Sequence, residues 1–286
     1  MQLATIKLDG VEVAAVNMQG RGLCPVPDLG DDLPGDLLGI IQAGLDDELR
    51  ERLERTAAEV ASDHLVTPDQ ADFGPLFRTP QKIWGIGLNY RAHADDLGQI
   101  HPDEPASFIK GNHTIIGPGE TIVLPAVSKH VTSEAELGLV FGQRCEEVEE
   151  PDALRALVGV CPILDQTAVD ILERNPRFLT RSKNFSTFFS FGPLLVTLDE
   201  ALGPDGTLNH LKVGTYSNGQ LYREDVVANM AHSPEHLISL HSQMMPFFPG
   251  DVISSGSPGG VRIKDGDVAE CRIPGIGTLT NPVRRP

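Results

Sequence analysis

From residue 83 onward the chain is cut by glycine and proline into short apolar runs, and this texture constrains the fold more than any other feature. Runs of that length suit strands and are too short for most helices. Ile83–Gly87, Glu136–Phe141, Leu194–Val196, Asp251–Ser254 and Asp267–Ile273 are expected strands. Val213–Tyr222 reads as a hairpin around Asn218-Gly219, a dipeptide that tolerates the positive φ of tight hairpin turns. In this part helices are expected at Pro151–Leu157 and Pro234–Met244. The 29 glycines and 22 prolines fit a turn-rich chain. The implied class is mainly β with α (α+β), a sandwich or roll rather than an alternating βαβ fold.

The N-terminal texture differs. Residues 3–16 alternate as a hairpin with Asp9-Gly10 at its turn. Asp46 and Asp47 can cap a helix whose apolar side is Leu49, Leu53, Ala57 and Val60. Thr67–Pro80 contains three prolines and no periodicity, which marks a linker. Residues 1–75 are therefore expected to form a small N-terminal α/β satellite domain, and residues 76–286 the main β-roll domain.

A formal net charge of −17 repels phosphate backbones and anionic membranes, so neither nucleic acid nor membrane is an expected partner. No apolar run approaches the roughly 20 residues that span a bilayer, and Met1–Gly10 lacks a signal-peptide core. A cytoplasmic location follows as the expectation. Cys24, Cys145, Cys161 and Cys271 are scattered, without a CxxC pair, and read as reduced thiols.

Chemistry concentrates in two acidic segments. In Ser133-Glu134-Ala135-Glu136-Leu137-Gly138-Leu139-Val140, a strand puts Glu134 and Glu136 on one face, about 7 Å apart, and Ala135, Leu137 and Leu139 on the other. Neighbouring carboxylates repel unless a cation lies between them; the alternative is a solvated acidic edge. Asp165 follows the apolar run Val158–Leu164, where a carboxylate needs a partner or caps a helix. Asp170 is a surface charge or part of the same cluster. Together Glu134, Glu136 and Asp165 offer three oxygen ligands for a divalent cation.

Other segments extend the pattern: Gly87-Leu88-Asn89-Tyr90-Arg91-Ala92-His93, Phe108-Ile109-Lys110, Ile116-Gly117-Pro118-Gly119 and Asp165-Gln166-Thr167-Ala168. Further on come Ser182-Lys183-Asn184-Phe185, Pro249-Gly250-Asp251-Val252-Ile253 and Gly256-Ser257-Pro258-Gly259-Gly260-Val261. In order and spacing, from about Lys82 to Val283, they resemble the fumarylacetoacetate hydrolase family, in particular its compact prokaryotic-type members. The resemblance implies a mixed β-sandwich roll around a divalent-metal site and homodimeric assembly. It also implies a small-molecule 2-oxo acid or dicarbonyl substrate, and a place in aromatic catabolism.

By position, the resemblance makes Glu134, Glu136 and Asp165 the ligands of Mg²⁺ or Mn²⁺, and Lys183 the active-site lysine that steadies an oxyanion or substrate carboxylate. It makes His93 and Asp96 an imidazole–carboxylate pair on a lid, His93 activating water. The acid is Asp here where Glu is more usual. On a helix over Tyr90–Leu97 these two residues, three apart, share a face. Gly256 and Ser257 can present donors to substrate. Tyr90 and Arg91 pack or pair rather than catalyse, with Arg91 counted towards substrate binding. Gly85-Ile86-Gly87 is not a dinucleotide fingerprint, since Tyr90 stands where the third glycine belongs.

Two positions depart from the family. Val169 stands where many members have Arg, and Leu172 where several have Gln, so hydrogen-bond donors for the substrate are missing there. Arg174, Arg177 and Arg181 are possible replacements. The expected activity is metal-dependent hydrolysis of a C–C bond in a 1,3-dicarbonyl such as an acylpyruvate. The alternatives are decarboxylation, tautomerisation or hydration of a 2-oxo acid, or a metal-binding protein without turnover.

Overall fold

The computed structural model describes residues 1–30, 32–91 and 103–286. Among these residues, twelve strands form a large mixed sheet and five a smaller one. The large sheet holds β1 (Gln2–Leu8), β2 (Val11–Met18), β3 (Gly22–Pro25), β4 (Ile83–Gly87), β5 (Ala106–Lys110) and β6 (Ile115–Ile116). It continues with β8 (Val131–Phe141), β9 (Leu157–Ala168), β10 (Phe189–Phe191), β11 (Leu194–Thr197), β14 (Val252–Ser254) and β15 (Gly260–Ile263). The smaller sheet runs β13 (Gln220–Val226), β12 (Lys212–Ser217), β16 (Val268–Ile273), β17 (Gly277–Arg284) and β7 (Ile122–Val123).

The antiparallel pair β8–β9 is the spine of the molecule, in one register from Val131↔Ala168 to Val140↔Gly159, with a shift before Phe141↔Leu157. Its two faces differ chemically. Ala135, Leu137, Leu139 and Phe141 are fully buried in the main core with Leu279 and Cys271 of the smaller sheet. Each buried leucine contributes roughly 1.5–3 kcal/mol. The alternate residues Glu134 and Glu136 point to the opposite face, as the strand period requires.

At the N-terminal end, β1 and β2 meet at Asp9 and Gly10, both with positive φ, as a two-residue hairpin turn requires. Asp46 caps α2 (Asp47–Glu59) by accepting from the Leu49 backbone N–H at 2.9 Å, and Leu53 and Ala57 are its buried stripe. The helix α1 (Leu37–Gly44), capped by Asp36, is not among the elements expected from sequence, although Leu37, Ile40 and Ile41 recur at helical spacing, and it packs its buried residues on β1 and β2. β1 also pairs with β11, so β1–β3 extend the large sheet. Residues 67–80 contain no helix or strand, yet they run back along β1, with Lys7 N–H bonded to the Asp72 carbonyl and Gly74 N–H to that of Thr5.

Candidate metal centre

Register and strand period together assemble the acidic cluster. Glu134 on β8 lies directly opposite Asp165 on β9, and Glu136 is two residues along the same face. One carboxylate oxygen from each of the three lies within 4.8 Å of the others. Asp165 and Glu136 are buried and Glu134 is half-buried. Asp165 lies within β9, three residues before its end, so it caps no helix. Asp170 is separate: it accepts from Ser128 Oγ at 2.6 Å and from Lys129 N–H at 3.0 Å.

Each carboxylate is held by named donors. Glu134 Oε1 accepts from Thr132 Oγ1 at 2.9 Å and Thr167 Oγ1 at 2.6 Å. Glu136 Oε2 accepts from Ser254 Oγ at 2.5 Å and Gly256 N–H at 2.9 Å. Asp165 receives one lysine on each oxygen, Lys110 Nζ on Oδ1 and Lys183 Nζ on Oδ2, both at 2.6 Å. Lys183 also reaches Glu134 Oε2 at 2.9 Å. It ends the short helix Leu179–Lys183, which delivers the ammonium onto the acidic face.

The electrostatics are those of an overcrowded buried site. Burial, then the Asp165 charge, pushes Glu136 up to about 8. Burial pulls Lys183 down, but Asp165, Glu134 and Glu136 outweigh it and hold the ammonium well above the ordinary lysine range. Burial pulls Lys110 below that range, against the opposing attraction of Asp165. Three hard oxygen donors suit a cation such as Mg²⁺ or Mn²⁺. Glu136 is raised first by burial and then by repulsion from Asp165, and a bound cation would offset both.

The structure places the remaining expected residues as follows. His93 and Asp96 lie outside the described residues. Arg91 is exposed, while Tyr90 is fully buried, its hydroxyl without a hydrogen-bond partner among the described residues. Gly256 gives its N–H to Glu136, and Ser257 Oγ bonds within its own turn, to the N–H and carbonyl of Gly259. Val169 and Leu172 are half-buried on the short helix Val169–Leu172, whereas Arg174, Arg177 and Arg181 are exposed.

Several supporting residues were not singled out by sequence. Thr132, Thr167 and Ser254 are ordinary hydroxyl residues until the sheet brings them to the carboxylates. Asn89 is similar: its amide donates to the His232 and Ser255 carbonyls and accepts from His232 N–H, tying the start of the Tyr90 segment to the Gly256 loop. Lys110 belongs to the Phe108-Ile109-Lys110 segment of the family resemblance, but nothing in that segment gives it a role.

The family model described as fumarylacetoacetate (FAA) hydrolase, C-terminal, matches residues 82–284, the span that carries every one of these groups. The chain belongs to the fumarylacetoacetate hydrolase family. Among relatives, the rat mitochondrial oxaloacetate tautomerase Fahd2a is 31% identical over 227 residues, covering 77% of this chain and 71% of the relative. The crystal structure of a 5-carboxymethyl-2-hydroxymuconate delta-isomerase from Mycobacterium smegmatis is similar with a TM-score of 0.68 and 32% identity. It covers 77% of this chain and 83% of that one. Maleylpyruvate hydrolase from Sphingobium sp. SYK-6 shares the fold over the whole of both chains, with a TM-score of 0.83 and 24% identity. Another structure of that hydrolase holds manganese(II) and pyruvate. The relatives above 30% identity thus include a tautomerase and an isomerase, the hydrolase shares the fold, and the mixed α+β architecture expected from sequence is common to them. No helix among the described residues is long and apolar enough to cross a membrane.

Proposed function

We propose that this chain is a divalent-metal-dependent enzyme of 2-oxo acids whose central chemistry is interconversion of ketone and enol. The observation that carries the reading is Lys183 Nζ, an ammonium held 2.9 Å from Glu134 Oε2 and 2.6 Å from Asp165 Oδ2 within the set of oxygen donors. Glu134, Glu136 and Asp165 would hold Mg²⁺ or Mn²⁺. When bound, that cation supplies Lewis acidity towards the oxygens of a 2-oxo acid.

The protein groups supply the rest. Lys183 is a charged donor for the 2-oxygen as negative charge develops there. Thr132, Thr167, Ser254 and Gly256 fix the carboxylates so that no reorganisation is needed during the reaction. In the enol-to-ketone direction a proton leaves the 2-hydroxyl and a proton adds at C3, with nothing else gained or lost. His93 is the proposed carrier, assigned by its place in the sequence. The tautomerase and isomerase among relatives above 30% identity favour this outcome.

Hydrolysis of an acylpyruvate C–C bond is the second reading. It needs the same enolate stabilisation and, in addition, an attacking water, a task that the sequence gives to His93 with Asp96. The substrate is a small molecule in either case, and a homodimer is the proposed assembly.

The test is an oxaloacetate tautomerisation assay beside an acylpyruvate cleavage panel, each with Mg²⁺ or Mn²⁺ and again with chelator. Metal-dependent turnover lost in Lys183→Met is expected. No turnover of any 2-oxo acid with metal present sinks the enzyme reading, and cleavage without tautomerisation selects the hydrolase.

A further inference from the structure

The centre contains two lysines, and they do different work. Lys183 faces the ligand oxygens of Glu134 and Asp165. Lys110 arrives from β5 and takes the other oxygen of Asp165, at 2.6 Å. Its second acceptor is the backbone carbonyl of Lys183, at 2.5 Å, so it cannot swing towards a substrate without breaking both contacts. Neither Lys110 nor Asp165 has any exposed side-chain surface. Phe108, two residues earlier, lies against both ammoniums, its ring centre 5.9 Å from Lys110 Nζ and 4.8 Å from Lys183 Nζ. That ring lies over Gly85, where a Cβ would stand 2.2 Å from Phe108 Cζ.

A lysine this enclosed is not screened by solvent, so its charge is felt at the oxygen cluster. With all three carboxylates ionised, as cation binding requires, they and the two ammoniums carry one net negative charge, and a divalent cation turns the centre positive by one. Without Lys110 the loaded centre would be neutral. The same ammonium therefore opposes the cation and attracts whatever anion binds next to it.

We propose that Lys110 sets the charge of this centre, weakening its hold on the divalent cation and strengthening its hold on an anionic 2-oxo acid. The inference rests on the metal reading above and adds a specificity-determining residue that acts through Asp165 and through space, without contact to substrate. It predicts a crossed effect. A merely structural lysine would loosen both kinds of binding when removed, whereas a charge-setting one moves them in opposite directions.

The experiment is calorimetric titration of wild type, Lys110→Met and Lys110→Gln with Mn²⁺, then of each Mn²⁺-loaded protein with oxalate, a dianionic mimic of pyruvate enolate. Gln keeps a hydrogen-bond donor in the cavity without the charge, and melting curves of both variants establish their folding. We expect Mn²⁺ to bind about tenfold or more tighter and oxalate about tenfold or more weaker, as for one unit charge a few ångströms away in a protein-like dielectric. Weakening of both, or no change in either, overturns the inference while leaving the metal centre standing. A wild type that binds neither Mn²⁺ nor oxalate overturns the metal reading and this inference with it.

Discussion

Glu134 and Asp165 face each other across the β8–β9 ladder, and Lys183 Nζ joins them, 2.9 Å from one carboxylate and 2.6 Å from the other. Residues 31 apart in sequence are thus fixed by main-chain pairing, the stiffest frame available to side chains that must keep one geometry. Glu136 completes the cluster from the next outward position of the same strand. Its environment carries the first prediction.

Glu136→Gln should stabilise the protein while removing metal binding. The buried carboxylate stands against Asp165 and Glu134, and an amide is free of that repulsion. Its carbonyl can still accept from Ser254 and Gly256. Above pH 8, without added metal, a gain of about 1–3 kcal/mol is expected from denaturant unfolding, with no further gain on adding Mn²⁺. Lower stability without metal would contradict this account.

Proton release should accompany metal binding. With Glu136 pushed up from 4.5 to about 8, the folded chain without metal holds a proton that the unfolded chain gives up in that interval. Stability of the metal-free protein therefore falls as pH rises across it, the sense opposite to an ordinary ion-paired carboxylate. Mn²⁺ affinity rises over the same window. Titration in two buffers of different ionisation enthalpy should show release of up to one proton below about pH 8 and loss of that release above it.

Thr132 and Thr167 both donate to Glu134 Oε1. Either alone leaves one donor in place, so each single Val variant should be mild. Thr132→Val with Thr167→Val should lower Mn²⁺ affinity by about 10–100-fold with little change in the apolar core. Affinity unchanged in the double variant would show that these hydroxyls do not position the ligand.

Gly85→Ala tests the wall behind the two lysines. The added methyl would meet Phe108 ring atoms at 2.2 and 2.3 Å, so the ring must move. Overpacking should destabilise the fold by about 1–3 kcal/mol. Displacing the ring from under the ammoniums should also weaken oxalate binding to the Mn²⁺-loaded protein. A thermal melt and an oxalate titration read the two effects separately.

Much of this was legible in sequence because its cause is local. Alternation alone put Glu134 and Glu136 on one face and Ala135, Leu137 and Leu139 on the other, since a strand offers no other arrangement. Asp9-Gly10 and Asn218-Gly219 announced their hairpins through a backbone conformation that few dipeptides accept. Asp46 announced α2 by its cap. The order of short motifs from about Lys82 to Val283 resembles the fumarylacetoacetate hydrolase family, and that resemblance brought Asp165 and Lys183 to the same site.

Tertiary structure decided what depends on contact between distant segments. It placed Lys110 on Asp165, gave Thr132, Thr167 and Ser254 their carboxylates, turned the Gly256 N–H to Glu136, and carried β1–β3 onto the large sheet through β11. None of these residue types signals such a role along the chain, because a hydroxyl or a lysine is equally at home in water. Their partners exist only once the ladder is built and water has been excluded, when an unpaired charge becomes costly and each donor must find its acceptor. The sequence by itself determined which acids would meet; the packed sheets determined how strongly they repel, and which residues hold them there.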